Sequence, residues 1–393
     1  MLYPLYELNR LGMEAISALA GVFADAPNPW LRANAALLHR ITKPYPKPQF
    51  ALPGTREVIV AAHPFCNLVH FEREAADDDA KAKAKQKPCV LVCAPLSGHH
   101  ATLVREMIAT LLADHDVYVT DWIDARAVPL AHGTFSLDDY VALLISFIAQ
   151  LGAPHVIAVC QPAVPALAAV ALLAQRGAGA PPRSLTVMGG PIDPRINPTV
   201  VDKLATDRPL AWFEQVMIDT VPAPHAGAGR RVYPGFVQLA AFAMMNPDKH
   251  ARAYYQYWID CLRGDAAAAD AHERFYDEYN AVLDMDAPYY LDTIRTVFQE
   301  LALARGTWRV GGELVEPRAI ARTPIFAIEG AHDDIAGLGQ TAAALELASA
   351  LPAAHKRHLV ADVGHYGLFA GRKWRETIYP QLREFVADAE RSP

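Results

Sequence analysis

Hydrophobic residues in the middle of the chain form short, nearly continuous runs that alternate with longer segments of helical periodicity. In chain order, the pattern predicts a strand at 89–93, a helix at 101–113, a strand at 117–120, a helix at 137–151, a strand at 155–159, a helix at 163–175 and a strand at 184–188. Strands that are apolar on both faces and alternate with amphipathic helices are typical of a parallel sheet covered on both sides.

The pattern resumes near the end of the chain. Strands are predicted at 324–328 and 356–360, followed by a closing helix at 374–389. Before the first buried strand, the runs 58–60 and 68–71 predict two further short strands, and the segment 75–87, with aspartates followed by spaced lysines, is expected to be a solvated loop.

The segment 197–321 interrupts this alternation and is helical and rich in aromatic residues. Its position before the strand at 324–328 predicts a helical lid inserted into the sheet domain. Any one aromatic residue is expected to pack in the interior, but the group indicates an apolar substrate cleft. The aromatic residues are Trp212, Phe213, Tyr233, Phe236, Phe242, Tyr254, Tyr255, Tyr257, Trp258, Phe275, Tyr276, Tyr289, Tyr290 and Phe298.

The first 40 residues also have apolar positions at helical spacing, with a break at Pro27 and Pro29. These positions are Leu5, Leu8, Leu11, Ile16, Leu19, Leu31, Ala35 and Leu38. The helical segment either packs on the core or docks on an apolar surface. The predicted domain organisation is an N-terminal helical extension at 1–50, a core formed by 51–196 and 322–393, and the lid at 197–321.

Composition excludes several classes of protein. An apolar fraction of 52% and a charged fraction of 20% are typical of a folded globular protein, and a net charge of −7 disfavours nucleic acid as a partner. Charged residues or prolines interrupt every apolar run, so no transmembrane segment is expected. The start of the chain lacks the pattern of a signal peptide, and its five cysteines are scattered and odd in number, which favours free thiols in the cytoplasm.

The strand at 155–159 ends at Cys160 and passes at once into a helix. In the α/β-hydrolase fold, this corner is the nucleophile elbow, where a Ser or Cys is held above the sheet and the next amide, here that of Gln161, points into the oxyanion hole. The common motif is G-x-S-x-G, from which this chain departs at Ala158, Cys160 and Pro162. The alternative is a buried structural cysteine.

Two later loops supply residues in the chain order of an α/β-hydrolase triad, which runs from nucleophile to acid to histidine. Asp333 follows the strand at 324–328 and is the candidate acid, with Asp334 as its substitute. His365 follows the strand at 356–360 and is the candidate general base. The predicted fold is therefore an α/β-hydrolase with a mostly parallel central sheet, helices on both faces and a helical lid before the acid-bearing strand.

The loop at 94–100 follows the strand at 89–93, where such hydrolases have their second oxyanion amide. Leu96 or Ser97 is the candidate donor, although the loop could equally be a tight turn that requires Gly98. Cys89 and Cys93 lie four residues apart with histidines downstream, but strand spacing would hold the two thiols apart. We therefore expect no metal and no cofactor.

Several segments resemble the intracellular polyhydroxybutyrate depolymerases, a family similar to the polyhydroxyalkanoate synthases. They occur in the same order over nearly the whole chain, at 1–3, 94–99, 120–122, 159–162, 189–193 and 333–335. The resemblance implies cleavage of a storage polyester inside the cell, with Cys160, Asp333 and His365 at the positions of the catalytic triad. It further implies a location at the surface of polyester granules, with granule-associated proteins as further partners.

Three other functions remain open at this point. A synthase-like acyltransferase would run the reverse chemistry, but the synthases favour a glycine two residues after the cysteine, where this chain has Pro162. Another carboxylesterase of the same fold would share the triad. A granule-binding protein without activity would lack it, whereas Cys160, Asp333 and His365 are all present.

Overall fold

The computed structural model of the chain describes residues 2–74, 87–177, 180–245 and 247–391. In that part of the chain, eight strands form the main sheet: β1 (Thr55–Ala62), β2 (Cys66–Arg73), β3 (Cys89–Cys93), β4 (Asp116–Trp122), β5 (His155–Val159), β6 (Ser184–Met188), β12 (Ile325–Gly330) and β13 (Lys356–Ala361). The short strands β7 (Asp219–Thr220), β8 (Arg231–Tyr233) and β9 (Met285–Asp286) form a second sheet, and β10 (Arg309–Val310) pairs with β11 (Glu313–Leu314).

The order of the strands in the main sheet is β1-β2-β4-β3-β5-β6-β12-β13. The strand β2 runs antiparallel to both of its neighbours, and the remaining pairs are parallel. This arrangement is that of the α/β-hydrolase fold, so the predicted fold class is confirmed. All of the predicted strands are present, some of them longer by one to three residues at an end.

Burial on both faces explains why the central strands could be predicted from their apolar runs. In β3 and β5, Leu91 and Val156 belong to the hydrophobic cluster on one face of the sheet, and Val92 and Ile157 belong to the cluster on the other. Because successive side chains of a strand point to opposite faces, a strand buried on both sides needs an apolar residue at every position.

Helices cover the two faces and form most of the segment between β6 and β12. The α-helices longer than three residues are α1 (Leu2–Gly21), α2 (Pro29–Thr42), Arg105–Leu111, Leu137–Leu151, Ala163–Arg176, Val200–Asp207, Leu210–Val216, Gly235–Met245, Pro247–Arg263, Ala266–Asn280, Ala287–Asp292, Ala343–Leu347 and Tyr379–Arg391. None of the helices in the described residues is long and apolar enough to cross a membrane.

Two predicted helices differ from the structure at their ends. The helix predicted at 101–113 begins as a 3₁₀ turn at Ala101–Val104 and ends at Leu111. It ends early because the chain must turn before β4 begins at Asp116, whose amide donates a hydrogen bond to the carbonyl of Pro88. The closing helix begins with a π-helical turn at Trp374–Ile378. The predicted loop at 75–87 lies outside the described residues except for Lys87.

Between β6 and β12, the described residues contribute no strand to the main sheet. Instead, this segment contains a buried ion pair, in which Arg230 Nη1 lies 3.1 Å from Asp286 Oδ1, and it contacts the core through the same carboxylate. The second carboxylate oxygen of Asp286 accepts a hydrogen bond of 2.6 Å from the amide of Phe135. The division into extension, core and lid stays a prediction.

The N-terminal segment forms the two predicted helices, α1 and α2, but most of its apolar positions do not pack on the core. Leu5, Leu8 and Leu19 are exposed, whereas Tyr3 and Ala20 are buried. The interpretation that the leucines of this segment pack on the core is therefore wrong for these residues.

Candidate active site

Cys160 lies at the sharp corner between β5 and the helix Ala163–Arg176. Its φ is +67°, in the left-handed region that a residue with a side chain rarely adopts. Two hydrogen bonds hold the corner: the Cys160 amide donates to the carbonyl of Met188 at 2.7 Å, and the Cys160 carbonyl accepts from the amide of Ala163 at 3.0 Å. Such a strained turn between strand and helix has the geometry of a nucleophile elbow.

Two glycines after β6 make room for this corner. A Cβ on Gly190 would lie 2.7 Å from the carbonyl oxygen of Cys160 and 2.3 Å from the Cβ of Ala163. Gly189 has a φ of +56°, and a Cβ there would lie 3.2 Å from His365 Cε1. Hydrophobic periodicity indicates no structural role for these glycines, although a pair of glycines directly after a buried strand signals a close approach of two chain segments.

The loops after β12 and β13 bring Asp333 and His365 together. The Nδ1 of His365 donates to Asp333 Oδ2 at 2.7 Å, and both side chains are almost completely buried. The other carboxylate oxygen of Asp333 accepts from the amides of Ile335 at 2.8 Å and Ala336 at 2.9 Å, which fixes its orientation. Asp334 is exposed. The geometry therefore pairs His365 with Asp333.

Burial and polar neighbours shift the pKa of His365 in opposite directions. Burial alone would lower the pKa, but the charge of Cys160 and the hydrogen bonds of His365 with Asp333 and Cys160 raise it well above its ordinary value. Both other members of the predicted triad thus favour the protonated imidazole of His365.

The candidate oxyanion donors line the same cavity as Cys160. Gln161, Leu96 and Ser97 are all in its wall. Within the described residues, the amides of these three residues donate no hydrogen bond to another protein group, which leaves them available for a ligand.

The loop carrying Leu96 and Ser97 is held in place by two contacts. The hydroxyl of Tyr289 donates to the carbonyl of Leu96 at 3.0 Å. Gly98 has a φ of +101°, and a Cβ there would overlap the side chain of Gln238, so the loop also requires this glycine. Tyr289 is one of the aromatic residues of the predicted lid, and no pattern in the sequence connects it to this loop.

The cavity that contains these residues has a volume of about 240 Å³ and a mostly apolar wall. Six of the aromatic residues predicted to form a cleft contribute to it: Phe213, Tyr233, Phe242, Tyr289, Tyr290 and Phe298. No lysine, arginine, aspartate or glutamate is among the described residues that line it. The cavity therefore suits an uncharged ligand with short aliphatic groups.

The cysteines and histidines considered for a metal do not form a site. Cys93 is buried and Cys89 half-buried, and burial raises the pKa of Cys89 to about 12. His99 faces the cavity, its Nε2 lies 3.1 Å from the carbonyl oxygen of Tyr279, and burial lowers its pKa to about 4. In the part of the chain that the structure describes, no three potential metal ligands come together.

The sheet order and the elbow define the chain as an α/β-hydrolase. Residues 189–390, just over half of the chain, match the family model described as "PHB de-polymerase C-terminus", where PHB is polyhydroxybutyrate. The chain belongs to this family of polyhydroxybutyrate depolymerases and is a hydrolase of ester bonds. The match includes Asp333 and His365 and begins after Cys160.

Solved structures with similar folds are distant in sequence. The monoacylglycerol lipase of Paleococcus ferrophilus has 12% identity and a TM-score of 0.46, with coverage of 77% of this chain and 96% of that chain. The 2-hydroxy-6-oxo-6-phenylhexa-2,4-dienoate hydrolase of Rhodococcus sp. strain RHA1 has 14% identity and a TM-score of 0.44, with coverage of 85% and 99%. These superpositions are too loose to transfer an activity. No curated protein matches the chain.

Proposed function

We propose that this depolymerase hydrolyses the ester bonds of poly(3-hydroxybutyrate) through a Cys160–His365–Asp333 triad. The observation that carries the proposal is the strained corner at Cys160, which shares an apolar cavity with the hydrogen-bonded pair His365–Asp333. A nucleophile on a turn, an imidazole beside it and a carboxylate that orients the imidazole are the three parts of a covalent hydrolase mechanism.

In the first step, the thiolate of Cys160 attacks the carbonyl carbon of an ester, and a carbon–sulfur bond forms while negative charge moves to the carbonyl oxygen. The amide of Gln161 and that of Leu96 or Ser97 stabilise this oxyanion. The carbon–oxygen bond to the next monomer then breaks, and the leaving alkoxide takes the proton of the His365 imidazolium. The product is a 3-hydroxybutyryl thioester on Cys160.

In the second step, a water molecule takes the place of the departed alcohol beside the thioester. Neutral His365 accepts a proton from the water as its oxygen attacks the thioester carbonyl, and the carbon–sulfur bond breaks. The acid product leaves, and Cys160 and His365 return to the thiolate and imidazolium forms. Asp333 keeps the imidazole in one orientation during both steps, since its own carboxylate is held by two backbone amides.

The substrate follows from the character of the cavity and from the family. A 3-hydroxybutyrate unit presents an uncharged ester and a methyl branch, which match an aromatic and aliphatic wall that has no lysine, arginine, aspartate or glutamate among the described residues. The proposed location is the cytoplasm, at the surface of the storage granules that contain this polymer.

Incubation of the purified protein with amorphous polyester granules tests the proposal. We expect soluble 3-hydroxybutyrate or its short oligomers to accumulate, measured by chromatography of the supernatant. Polymer growth from hydroxybutyryl-coenzyme A without release of acid would instead favour the synthase reaction. Hydrolysis of simple esters without any release from granules would favour a carboxylesterase of different specificity.

The acid of the triad is tested by Asp333→Asn. This change keeps the shape of the side chain but removes a charge that raises the pKa of His365, so we expect kcat to fall by about 10²- to 10⁴-fold. If catalysis requires the imidazolium, activity falls as the pH rises through the pKa of the His365–Cys160 pair. The alkaline limb of the profile of kcat/KM against pH should therefore move to lower pH in the variant.

The matched control is Asp334→Asn, which makes the same chemical change at the exposed neighbouring residue. We expect the control to keep a rate and a pH profile close to those of the wild type. Equal losses in the two variants would contradict the assignment of Asp333.

A further inference from the structure

The helices α1 and α2 turn their apolar sides outward. Leu5 is 66% exposed, Leu8 70% and Leu19 66%. About half of the large apolar side chains that are strongly exposed in the described residues belong to these two helices and the turn between them: Leu2, Leu5, Leu8, Leu11, Ile16, Leu19, Val22, Phe23, Trp30, Leu31, Leu38 and Ile41. We call this set the N-terminal apolar face. A patch of this kind on a folded protein marks an interaction site.

Polar contacts on the inward side fix the orientation of α1. The hydroxyl of Tyr3 donates to Asp284 Oδ2 at 2.7 Å, and the Nε2 of His225 lies 3.3 Å from Glu7 Oε1. Because these partners lie on the segment between β6 and β12, rotation of the helix to bury its leucines would break both contacts. The outward position of the leucines is therefore a property of the packed structure.

The helix α2 is held in the same way. Arg40 is almost completely buried, donates to Asp277 Oδ1 at 2.7 Å and to the carbonyl of Glu273 at 3.0 Å, and so leaves Leu38 and Ile41 on the outside. The Oγ of Ser17 on α1 lies 2.8 Å from the Nδ1 of His39 on α2, which joins the two helices. The two helices therefore pack together as one unit.

The charges of the two helices disfavour an anionic membrane as the partner. Arg10 is paired with Glu7 and Glu14, and Lys43 is paired with Asp277 at 2.7 Å. Arg32 donates to the carbonyls of residues 26 and 27 at the turn, and Asp25 in the same turn is acidic and exposed. Helices that bind anionic lipid carry unpaired lysine or arginine beside the apolar stripe, and here each of these cations already has a partner.

The composition of the face also disfavours a second copy of the chain. Protein interfaces gain specificity from tyrosine, tryptophan and arginine anchors surrounded by a polar rim. Ten of the twelve side chains of the face are aliphatic, and the two aromatic ones, Phe23 and Trp30, lie in the turn and at the start of α2. A mainly aliphatic, uncharged face matches an uncharged aliphatic partner that has no fixed shape to recognise.

We propose that the N-terminal apolar face docks on the surface of amorphous poly(3-hydroxybutyrate). This proposal rests on the function proposed above and identifies the part of the protein that contacts the granule. Amorphous polyester is a neutral, aliphatic surface without fixed shape, so apolar burial alone can supply the attraction.

The docking face is connected to the catalytic cavity. The ring of Tyr6 on α1 stacks on that of Phe236 with centroids 4.0 Å apart. Phe236 lies on the helix Gly235–Met245, and Gln238 and Phe242 of that helix line the cavity with Cys160. A protein docked through α1 would therefore hold the wall of its active cavity close to the polymer.

The test is a triple substitution on α1, Leu5→Gln, Leu8→Gln and Leu19→Gln, because glutamine keeps helix propensity while it removes apolar surface. We expect the fraction that sediments with amorphous granules, and the rate of release of 3-hydroxybutyrate from them, to fall on the order of tenfold or more. Turnover of a soluble p-nitrophenyl ester should stay close to that of the wild type, which also reports that the variant is folded.

The matched control replaces three exposed apolar residues elsewhere, Leu130→Gln, Val216→Gln and Tyr255→Gln. It should keep both binding to granules and turnover of the soluble ester. Cys160→Ala should bind granules like the wild type without degrading them, so docking is measured separately from catalysis. If the wild type fails to degrade granules, the proposed function fails, whatever the α1 variant does.

Three results would overturn the docking proposal. Undiminished granule binding by the α1 variant would show that another surface makes the contact. A change from dimer to monomer caused by the α1 substitutions, measured by light scattering, would show that the face joins two copies. Binding of the wild type to vesicles of zwitterionic or anionic lipid as strong as its binding to polyester would assign the face to lipid.

Discussion

The variant Cys160→Ala is expected to lose hydrolysis of polyester by about 10⁵-fold or more, because it removes the only protein atom that forms a covalent bond to the substrate in the proposed mechanism. The variant should fold, since alanine fits the space of a side chain that is nearly buried at the corner. Release of 3-hydroxybutyrate from granules, followed over hours, measures the loss.

The control for this prediction is Cys261→Ala. Cys261 lies on the helix Pro247–Arg263 and is one of the free thiols outside the cavity. We expect the control to keep wild-type activity. Hydrolysis that survives in Cys160→Ala at the rate of the control would reject Cys160 as the nucleophile and would favour a structural role for this cysteine.

A double variant extends this test, because the losses of activity caused by two residues that act together do not multiply. If Cys160 and His365 act as one unit, the double variant Cys160→Ala/His365→Ala should be no slower than Cys160→Ala alone. Losses that multiply would indicate that the two side chains act independently and would contradict the proposed triad.

The central part of the fold could be predicted because its strands and helices have distinct local patterns of apolar and polar residues. The strand β5 and the helix Leu137–Leu151 have the predicted bounds, since a strand buried on both faces is apolar at every position and a helix on the sheet has one apolar side. The candidate site could be predicted from chain order, because each of its residues follows a strand that ends at the same edge of the sheet.

The choice between Asp333 and Asp334 could not be made from the sequence. Both residues follow the same strand, and their side chains differ only in where the loop directs them. In the structure, the amides of Ile335 and Ala336 hold the carboxylate of Asp333 toward His365. Such backbone contacts depend on a loop conformation that spacing does not encode.

The direction of α1 was also beyond the sequence. Periodicity shows that a helix has an apolar side but not which side is covered, and the common case is that the apolar side faces the core. Here the side of α1 that faces inward is determined by contacts with residues more than two hundred positions away in the chain, such as Asp284 and His225. Long-range polar contacts of this kind leave no local signal.

Gly190→Ala is expected to have the second large effect, although Gly190 bears no side chain and takes no part in the chemistry. The added Cβ would lie 2.7 Å from the carbonyl oxygen of Cys160 and 2.3 Å from the Cβ of Ala163, both well inside van der Waals contact. Since these atoms belong to the corner itself, the corner must move away from β6. A shift of about 1 Å in a nucleophile lowers the rate by about 10²-fold, and overpacking lowers the free energy of unfolding by about 1–3 kcal/mol.

The control makes the same change where there is room. No atom lies within 4 Å of a Cβ on Gly12, which is inside α1, so Gly12→Ala should keep activity and raise the free energy of unfolding by about 0.5–1 kcal/mol. In the background of Gly190→Ala, the further change Ala163→Gly removes the shorter of the two contacts and should restore part of the lost kcat/KM. Wild-type activity and stability in Gly190→Ala would mean that the close approach of β6 to Cys160 is not needed to hold the nucleophile in place.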